Sequence, residues 1–395
     1  MPRYLSALGA ALVLALGAAA CGGDDDEGAA GGDGGQATVK VGGIFDLSGA
    51  TADVGTPYAD GVKGFVEYHN QQGSGPNIEL ISEDYKYDVA VAERLYSRLK
   101  GEGVVAVQGW GTGDTEALRG RITADQVPFM SGSYAETLVN PEETPFNFVV
   151  GTTYSDQMRV ALDWIAEDAG GQAEVAAFHH DSPFGEAPLE AGEQKAGELG
   201  LGFESYAMPA DATDFVPQLQ RARGQGAQYV VIQNVSSPAA QLAKNIKSQG
   251  LDMQIVCLNW CGDELFIDLA GAAADGAVAA MPFGPATVEV KGLEQPRQFL
   301  EGAGGTLEEQ GVHYVQGWYT MALMAEGIKR AAEAGEIDGE TLKQALEELP
   351  PFETGELSAP IDFTADSHAG MPGAKLYRVE EGEWAELTDL LTAGT

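Results

Sequence analysis

The alternation of short β-rich runs with amphipathic stretches constrains the fold of this chain more than any other feature of its sequence. From residue 38 the first β-rich runs are TVKVGGIF, NIELISED, GVVAVQG and VPFMSGS. Amphipathic stretches lie between them. In DVAVAERLYSRLK the apolar side chains recur at helical spacing, at Val89, Ala92, Leu95, Tyr96 and Leu99. A repeated order of strand, helix and strand predicts a parallel sheet covered by helices on both faces.

The pattern starts a second time after FVVGTTYSDQ. The next β-rich runs are AEVAAFHHD, GFESYAMP, AQYVVIQN and MQIVCLNW, and a helical stretch follows each of them. Since a domain takes roughly 150 residues, the chain is long enough for two such units. We therefore predict an α/β fold of two doubly wound parallel-sheet lobes. Lobe 1 is predicted to comprise residues 38–152 and 284–355, and lobe 2 residues 153–283 and 356–395.

The C-terminal part departs from this rhythm. GVHYVQGWYTMALMAEGIKRAAEAG is predicted to be one long helix, and DGETLKQALEELP a second helix with Asp338 as its N-cap and Pro350 beyond its end. SAPIDFT and AKLYRVEEGEW are predicted to be the strands of a hairpin-like element. Because lobe 1 has fewer helices than a doubly wound domain needs, we expect the long helix to pack back on it.

The N-terminus is typical of an exported, anchored protein. Residues 1–20 form a predicted export signal. Their apolar run is too short to span a bilayer, and it ends in three alanines before Cys21. Residues 21–37 are rich in Gly and Asp and are predicted to be a flexible tether. The segment resembles a bacterial lipoprotein signal in which Cys21 is lipidated, although Ala18 stands where that motif usually has Leu. Ordinary cleavage that leaves a free thiol is the alternative. Either way we expect an extracytoplasmic protein, and the first reading predicts a cell-membrane lipoprotein.

Charge and missing motifs exclude several classes of function. The formal net charge of −38 argues against nucleic acid as a partner. The sequence has no Gly-x-Ser-x-Gly elbow, no phosphate loop and no His-Glu-x-x-His motif. In VVAVQGWGTGD, Asp114 occupies the place of the third glycine of a dinucleotide fingerprint. The histidines are scattered. We therefore expect no catalytic activity, no cofactor and no metal. The protein is expected to be a monomer.

Two cysteines remain after Cys21, at positions 257 and 261. In an oxidising compartment an even pair of cysteines suggests a disulfide. A ring this small would stabilise the fold by only about 2 kcal/mol. We predict a disulfide between Cys257 and Cys261, and two free thiols are the alternative.

Polar and aromatic residues follow the predicted strands of both units. Trp110 and Thr112 lie in a glycine-rich turn after one strand, and Ser131 and Ser133 end the neighbouring strand. Two adjacent strand ends with hydroxyls and free helix N-terminal amides suit a carboxylate. The alternative is that these hydroxyls only cap helices and form turns. In the second unit Phe184, Asn259 and Trp260 lie beyond strand ends, where aromatic side chains can clamp an apolar ligand body.

Several stretches, taken in order, resemble the substrate-binding proteins of ABC importers of the branched-chain amino-acid (Leu/Ile/Val) type. They are the segment at Cys21, GGIFDLSGATADVGTPYADGV, VPFMSGSYAETL, HHDSPFGEA, the helix before SQGLD, GVHYVQGWYTMALMAEGIKRA and APIDFTADSHAG. The resemblance implies a type I periplasmic binding protein fold with a ligand cleft between two lobes. It also implies as partners a small-molecule ligand and the permease and ATPase subunits of an ABC transporter. A lipid-anchored sensor of the same fold and, less in keeping with the motifs, an exported α/β enzyme are the alternatives.

The resemblance also supplies ligand-binding positions. With Trp260 added from its place after a strand, the predicted ligand-binding residues are Ser48, Val54, Trp110, Gly111, Thr112, Ser131, Ser133, Tyr134, Phe184, Val235, Asn259 and Trp260. Where amino-acid binders of the family carry an acidic residue for the ammonium group, this chain has Asn259. Asp263 could supply the acid instead. A branched-chain or other hydrophobic amino acid, a related carboxylate and an amide all stay open as ligands.

Overall fold

Two β-sheets organise the chain in the computed structural model, which describes residues 37–209 and 212–393. The predicted export signal, the tether and Cys21 thus lie outside the described residues, apart from the last tether residue. The first sheet consists of β1 (Thr38–Phe45), β2 (Asn77–Asp84), β3 (Ala106–Gly109), β4 (Phe129–Ser131) and β5 (Asn147–Phe148). Its strand order is β2-β1-β3-β4-β5, and every pair is parallel.

The second sheet is mixed. It consists of β6 (Glu174–His180), β7 (Gly202–Met208), β8 (Tyr229–Gln233), β9 (Gln254–Cys257), β10 (Val278–Met281), β11 (Gly373–Glu380), β12 (Glu383–Glu386) and β13 (Leu391–Thr392). The order is β12-β11-β10-β9-β8-β6-β7, with β13 beside β11. Strands β6 to β10 run parallel, whereas β11 is antiparallel to its neighbours. The predicted α/β fold class is confirmed, and the antiparallel edge is an addition to it.

Helices cover both sheets. They are α1 (Ala52–Gln72), α2 (Val89–Gly101), α3 (Thr112–Asp125), α4 (Tyr154–Asp168), α5 (Pro183–Glu186), α6 (Leu189–Leu199), α7 (Val216–Gly224), α8 (Ser236–Ser248), α9 (Glu264–Ala270), α10 (Glu294–Gly302), α11 (Leu307–Ala334) and α12 (Gly339–Glu347). We use the term first half for β1–β5 with α1–α3 and α10–α12, and second half for β6–β13 with α4–α9, because these elements pack on one another. The lobe boundaries drawn from the sequence stay a prediction.

The long helix α11 packs on α1 of the first half, as the sequence led us to expect. Two glycines allow the close approach of the two helices. A Cβ atom at Gly61 would collide with the carbonyl oxygen of Tyr314, and one at Gly317 with that of Tyr58. The chain therefore runs from the first half to the second after β5, returns after β10, and leaves again after α12 to form β11.

The C-terminal hairpin differs from the predicted one. Its strands β11 and β12 both overlap AKLYRVEEGEW and are joined by Glu381 and Gly382, whose φ angles are 53° and 87°. The prediction that SAPIDFT forms a strand is wrong, because residues 358–364 make only isolated bridges such as Phe352 with Ile361. Pro360 in this stretch has no N–H to donate to a ladder.

Within residues 37–209 and 212–393, no helix combines the length and the apolar character that a bilayer crossing requires.

Candidate ligand-binding site

A small cavity with room for about one water molecule lies between the two halves. Its walls come from the first half at Thr51, Tyr87, Trp110, Gly111, Thr112 and Gly132, and from the second half at Tyr154, Phe184, Val235 and Trp260. All of these residues except Tyr87 are buried. Because both halves contribute walls and little of the surface faces solvent, a solute inside would touch both halves at once.

The glycine-rich turn after β3 forms the polar wall. The indole Nε1 of Trp110 donates to Thr51 Oγ1 at 2.8 Å, which fixes the ring against the start of α1. Gly111 precedes α3, and a Cβ atom there would collide with the side chains of Asp114 and Tyr85. Thr112 is the first residue of α3. The turn thus brings an indole, backbone and a hydroxyl to the cavity, as its sequence predicted.

The hydroxyls that end β4 lie behind this wall. Ser133 Oγ lies 2.8 Å from Thr112 Oγ1, and the backbone N–H of Ser133 donates to Ser131 Oγ at 3.1 Å. Gly132, between the two serines, lines the cavity instead of them. In this structure the serine hydroxyls shape a turn and support Thr112.

Aromatic side chains form the wall of the second half. Trp260 lies 4.7 Å from the ring of Trp110 across the cleft, measured between ring centroids. Its Nε1 donates to the hydroxyl of Tyr154 at 2.8 Å, and that hydroxyl donates to the carbonyl oxygen of Gly132 at 3.1 Å. Tyr154 also packs edge-on against Phe184 at 5.4 Å. Trp260 and Tyr154 therefore connect the two halves by hydrogen bonds as well as by ring contacts.

The cavity walls carry no charge. None of the lining residues is Asp, Glu, Lys, Arg or His. The phenols of Tyr87 and Tyr154 stay neutral because burial raises the pKa of both well above its ordinary value. A solute in the cavity would meet aromatic faces, one aliphatic side chain, hydroxyls and backbone.

A charged cluster lies next to this neutral cavity. We call it the polar network, and its members are Ser236, Asn259, Asp263, His313 and Gln316. His313 of α11 lies with its Nε2 3.1 Å from Asp263 Oδ2, at the start of α9. Its Nδ1 lies 2.8 Å from Gln316 Oε1, and Gln316 Nε2 donates to Asn259 Oδ1 at 2.7 Å. Ser236 also donates to Asp263. The network joins the first half to the second.

Burial and ionic contacts compete at this network. Burial acts to lower the pKa of His313, but Asp263, Gln316 and the charge of Glu264 outweigh it and raise the pKa above its ordinary value. Glu264 accepts hydrogen bonds from the backbone N–H groups of Val312 and Ala286 at 2.9 and 2.7 Å. Burial still raises the pKa of Glu264. The contacts favour a protonated imidazole that both acidic residues stabilise.

The remaining predicted residues lie away from the cavity walls. Ser48 is exposed and donates to Asp84. Val54 is fully buried in the core. The ring of Tyr134 packs against Trp260 at 5.6 Å, behind the wall. Asn259 belongs to the polar network.

Sequence reasoning missed four lining residues, Thr51, Tyr87, Gly132 and Tyr154. Tyr154 offered a signal, since it stands in FVVGTTYSDQ, where the pattern of strands and helices starts again. Gly132 lies between two predicted residues. No signal in the sequence indicated Tyr87. Its φ of 56° is unusual for a tyrosine, and no sequence rule predicts that conformation.

The predicted disulfide is not formed in this structure. Cys257, in β9, and Cys261, in the short 3-10 turn Asn259–Cys261, are both free and buried. The thiol of Cys261 is directed at the carbonyl oxygens of Ile232 and Leu258, at 3.4 and 3.6 Å. Burial raises the pKa of the Cys257 thiol, and the neighbouring Cys261 adds to the effect. Among the described residues no group of three or more His, Cys, Asp or Glu is arranged to hold a metal ion.

Most of the chain is similar to proteins that are already known. Residues 38–383 match the family model described as periplasmic binding protein. The curated Leu/Ile/Val-binding protein homolog 1 of Brucella abortus (strain 2308) is 24% identical over 359 residues, which are 88% of this chain and 91% of the relative.

Solved structures are similar over nearly the whole described chain. A branched chain amino acid ABC transporter from Thermus thermophilus with bound valine superimposes with a TM-score of 0.86 and 28% identity, over 91% of this chain and 97% of that one. A fatty acid ABC transporter substrate-binding protein from Thermomonospora curvata gives a TM-score of 0.82 at 19% identity, over 90% of this chain and 92% of that one. At that identity the second likeness shows the fold alone.

Proposed function

The chain belongs to the periplasmic binding protein family, and on that premise we propose that it captures a small, apolar-bodied solute between its two lobes and delivers it to the permease of an ABC transporter. The family is one of extracytoplasmic binding proteins rather than enzymes. The single observation that carries the proposal is the cavity walled by both halves, where Trp110 of the first half contacts Trp260 of the second.

Such a cavity couples binding to closure. A solute that contacts Trp110 and Thr112 of one lobe together with Tyr154, Phe184 and Trp260 of the other gains these contacts only in the closed form. It therefore shifts the equilibrium between open and closed forms by its differential affinity for the closed one. The closed form is the one that we expect the permease to recognise.

The relatives support a transport role. The Brucella relative is a Leu/Ile/Val-binding protein homolog, and the Thermus thermophilus structure holds valine. We infer from them a solute of the size of a hydrophobic amino acid. The protein is proposed to act as a monomer, since its cavity is complete within one chain.

A thermal-shift screen of amino acids, aliphatic and aromatic acids and amides tests the capture of a solute. A solute at 100 times its dissociation constant should stabilise the protein by about 2.7 kcal/mol, which raises the melting temperature by several degrees. If no member of these classes raises the melting temperature at millimolar concentration, the proposed function is wrong.

We also propose that lipidated Cys21 anchors the protein at the outer face of the cell membrane. The support is the place of Cys21 between an apolar run and a Gly- and Asp-rich tether. In a bacterial host the wild-type protein should fractionate with membranes, and Cys21→Ser should be released or stay unprocessed. Equal partitioning of the mature variant and the wild type would contradict the anchor.

A further inference from the structure

The enclosed space is smaller than the solute proposed for it. It has room for about one water molecule, whereas a hydrophobic amino acid is much larger. One wall of the cavity must therefore move outward when such a solute enters. On the assumption that the proposed function holds, we propose that this wall is Tyr87, and that the opening it leaves sets the size of the largest solute that binds tightly.

The other large side chains around the cavity are held in place. The indole N–H groups of Trp110 and Trp260 each donate a hydrogen bond at 2.8 Å. Tyr154 donates from its hydroxyl to a carbonyl oxygen of the first half at 3.1 Å. Phe184 is buried and packs against Tyr154. Displacement of any of them would leave a buried polar group without its partner or open the core, and both are costly.

Tyr87 lies where the cavity meets the solvent. Of the lining residues described above, it alone is partly exposed. Its ring packs against Gly111, at which a Cβ atom would be 3.0 Å from Cε2 of the ring. The ring also meets His180 of the second half edge-on, with 5.7 Å between ring centroids, and its hydroxyl is hydrogen-bonded to Ser182. Tyr87 therefore bridges the two halves at the mouth of the cavity.

The backbone at this position is strained. Lys86 and Tyr87 both have left-handed conformations, with φ angles of 59° and 56°. A side chain with a Cβ atom makes this conformation unfavourable, and residues that adopt it are concentrated at ligand clamps and switch regions. Movement of Tyr87 would release this strain. The movement is thus opposed chiefly by the contacts of Tyr87 with the second half, which an entering solute can replace.

Anchors on both sides confine the movement to the two left-handed residues. Before them, Asp84 accepts from the N–H of Leu47 at 3.0 Å, and Tyr85 is fully buried. After them, Asp88 caps α2 by accepting from the N–H of Val91 at 3.0 Å. The strand and the helix that flank the turn can therefore keep their places while Tyr87 moves.

Two glycine substitutions separate the ring of Tyr87 from the strain of its backbone. Tyr87→Gly removes both, whereas the matched control Lys86→Gly relieves strain at an exposed neighbour and leaves the ring in place. Both variants should fold, because glycine adopts left-handed conformations readily.

Fluorotryptophan incorporated into each protein reports on closure without any solute. The fluorine chemical shift of an indole differs between water and heavy water according to how far solvent reaches the ring, and Trp110→Phe and Trp260→Phe assign the two resonances. In Tyr87→Gly we expect the resonance of Trp110 or Trp260 to respond more to heavy water than in wild type, and in Lys86→Gly we expect the wild-type response. An unchanged response in Tyr87→Gly would mean that Tyr87 does not close the cavity, and would overturn the inference.

Calorimetry with valine, leucine and phenylalanine tests the size limit. The affinity for phenylalanine relative to that for valine should rise about tenfold in Tyr87→Gly and change by less than about threefold in Lys86→Gly, since the fit of a side chain to an apolar pocket discriminates by this order. An equal ratio in wild type and Tyr87→Gly would overturn the inference, although the protein would still bind a solute as proposed. An equal rise in both variants would overturn it as well.

Failure of the proposed function is a separate result. If none of the three amino acids binds to any of the proteins, the fluorine shifts decide. A larger response confined to Tyr87→Gly supports closure by Tyr87, and an equal response in both variants overturns it. The thermal-shift screen, in contrast, tests whether any solute is captured.

Discussion

The cavity and the polar network lie side by side at the same interface, yet they are built from opposite kinds of residue. The cavity walls are neutral and largely aromatic, whereas the network pairs an imidazole with the carboxylate of Asp263. The rings of Trp260 and His313 meet at 4.8 Å, so one residue from each region forms the border between them. The comparison indicates that the charged groups join the two halves, whereas the cavity offers a solute neutral and mostly apolar walls.

The separation has an energetic reason. A buried, hydrogen-bonded ion pair keeps one geometry, because breaking it would leave a buried charge without a partner. The charged groups of such a pair therefore fix each other's position and do not readily change partners. Aromatic faces, in contrast, can exchange one apolar contact for another when a solute enters.

The largest effect is expected from Trp260→Ala, which removes one wall of the cavity. Loss of an indole that contacts the solute should lower affinity for the best ligand of the screen by about a hundredfold, since burial of a large aromatic group contributes roughly 2 to 3 kcal/mol. Trp260→Phe is the matched control, because it keeps a ring but loses the donor to Tyr154. It should lose about tenfold.

Calorimetry on the two variants checks this prediction. Both should also unfold at a lower temperature than wild type, because Trp260 packs against Tyr58 and Tyr134. A variant that loses stability but keeps wild-type affinity would show that the indole is part of the core and not of the binding site.

His313→Gln tests the other region. Glutamine can still form hydrogen bonds but cannot carry the charge that faces Asp263, Glu264 and Asp53, so the free energy of unfolding should fall by roughly 1 to 3 kcal/mol. The pKa of His313 is raised in the folded protein. Its contribution is therefore fully present below the unfolded value of about 6.5 and is lost as the pH rises through the folded value.

Urea unfolding of wild type and variant at pH 6 and pH 9 measures the effect. The stability lost on His313→Gln should be larger at pH 6 than at pH 9, and the other acidic groups, present in both proteins, largely cancel in the comparison. An equal loss at both pH values would mean that His313 is neutral and acts only through packing.

The smallest change in affinity is expected from removing single hydroxyls, that of Thr112 on the cavity wall or that of Ser133 behind it. Thr112→Val removes a hydroxyl from the cavity wall at constant shape and should weaken the binding of the best ligand of the screen by about tenfold. Ser133→Ala removes the hydroxyl behind it and should change affinity by less than about threefold, while lowering stability by about 1 kcal/mol. Calorimetry and melting curves compare the two variants. The reverse order of affinities would put Ser133 at the solute.

Much of the fold follows from local patterns. TVKVGGIF and NIELISED coincide with β1 and β2, and Asp338 caps α12 through both halves of a capping box. These features depend on neighbours in sequence. The hairpin was mispredicted because SAPIDFT has a strand-like composition, and only the turn at Glu381 and Gly382 shows that β11 and β12 pair with each other.

The site was predictable only where a strand end indicated it. Trp110, Thr112, Phe184 and Trp260 follow strands, and the structure brings them together around one cavity. The polar network left no such signal, because Asp263 and His313 are far apart in sequence and no local pattern pairs them. Asp263 looked like a candidate partner for a ligand's ammonium group, whereas in the structure His313 occupies it.

A crystal structure of the complex with the tightest-binding solute of the screen tests the central claim most directly. The account places that solute in the cavity against Trp110, Thr112 and Trp260, with the contact between Asp263 and His313 intact. A solute bound outside these walls, or one whose polar group pairs with Asp263 in place of His313, would contradict the separation of the neutral cavity from the polar network.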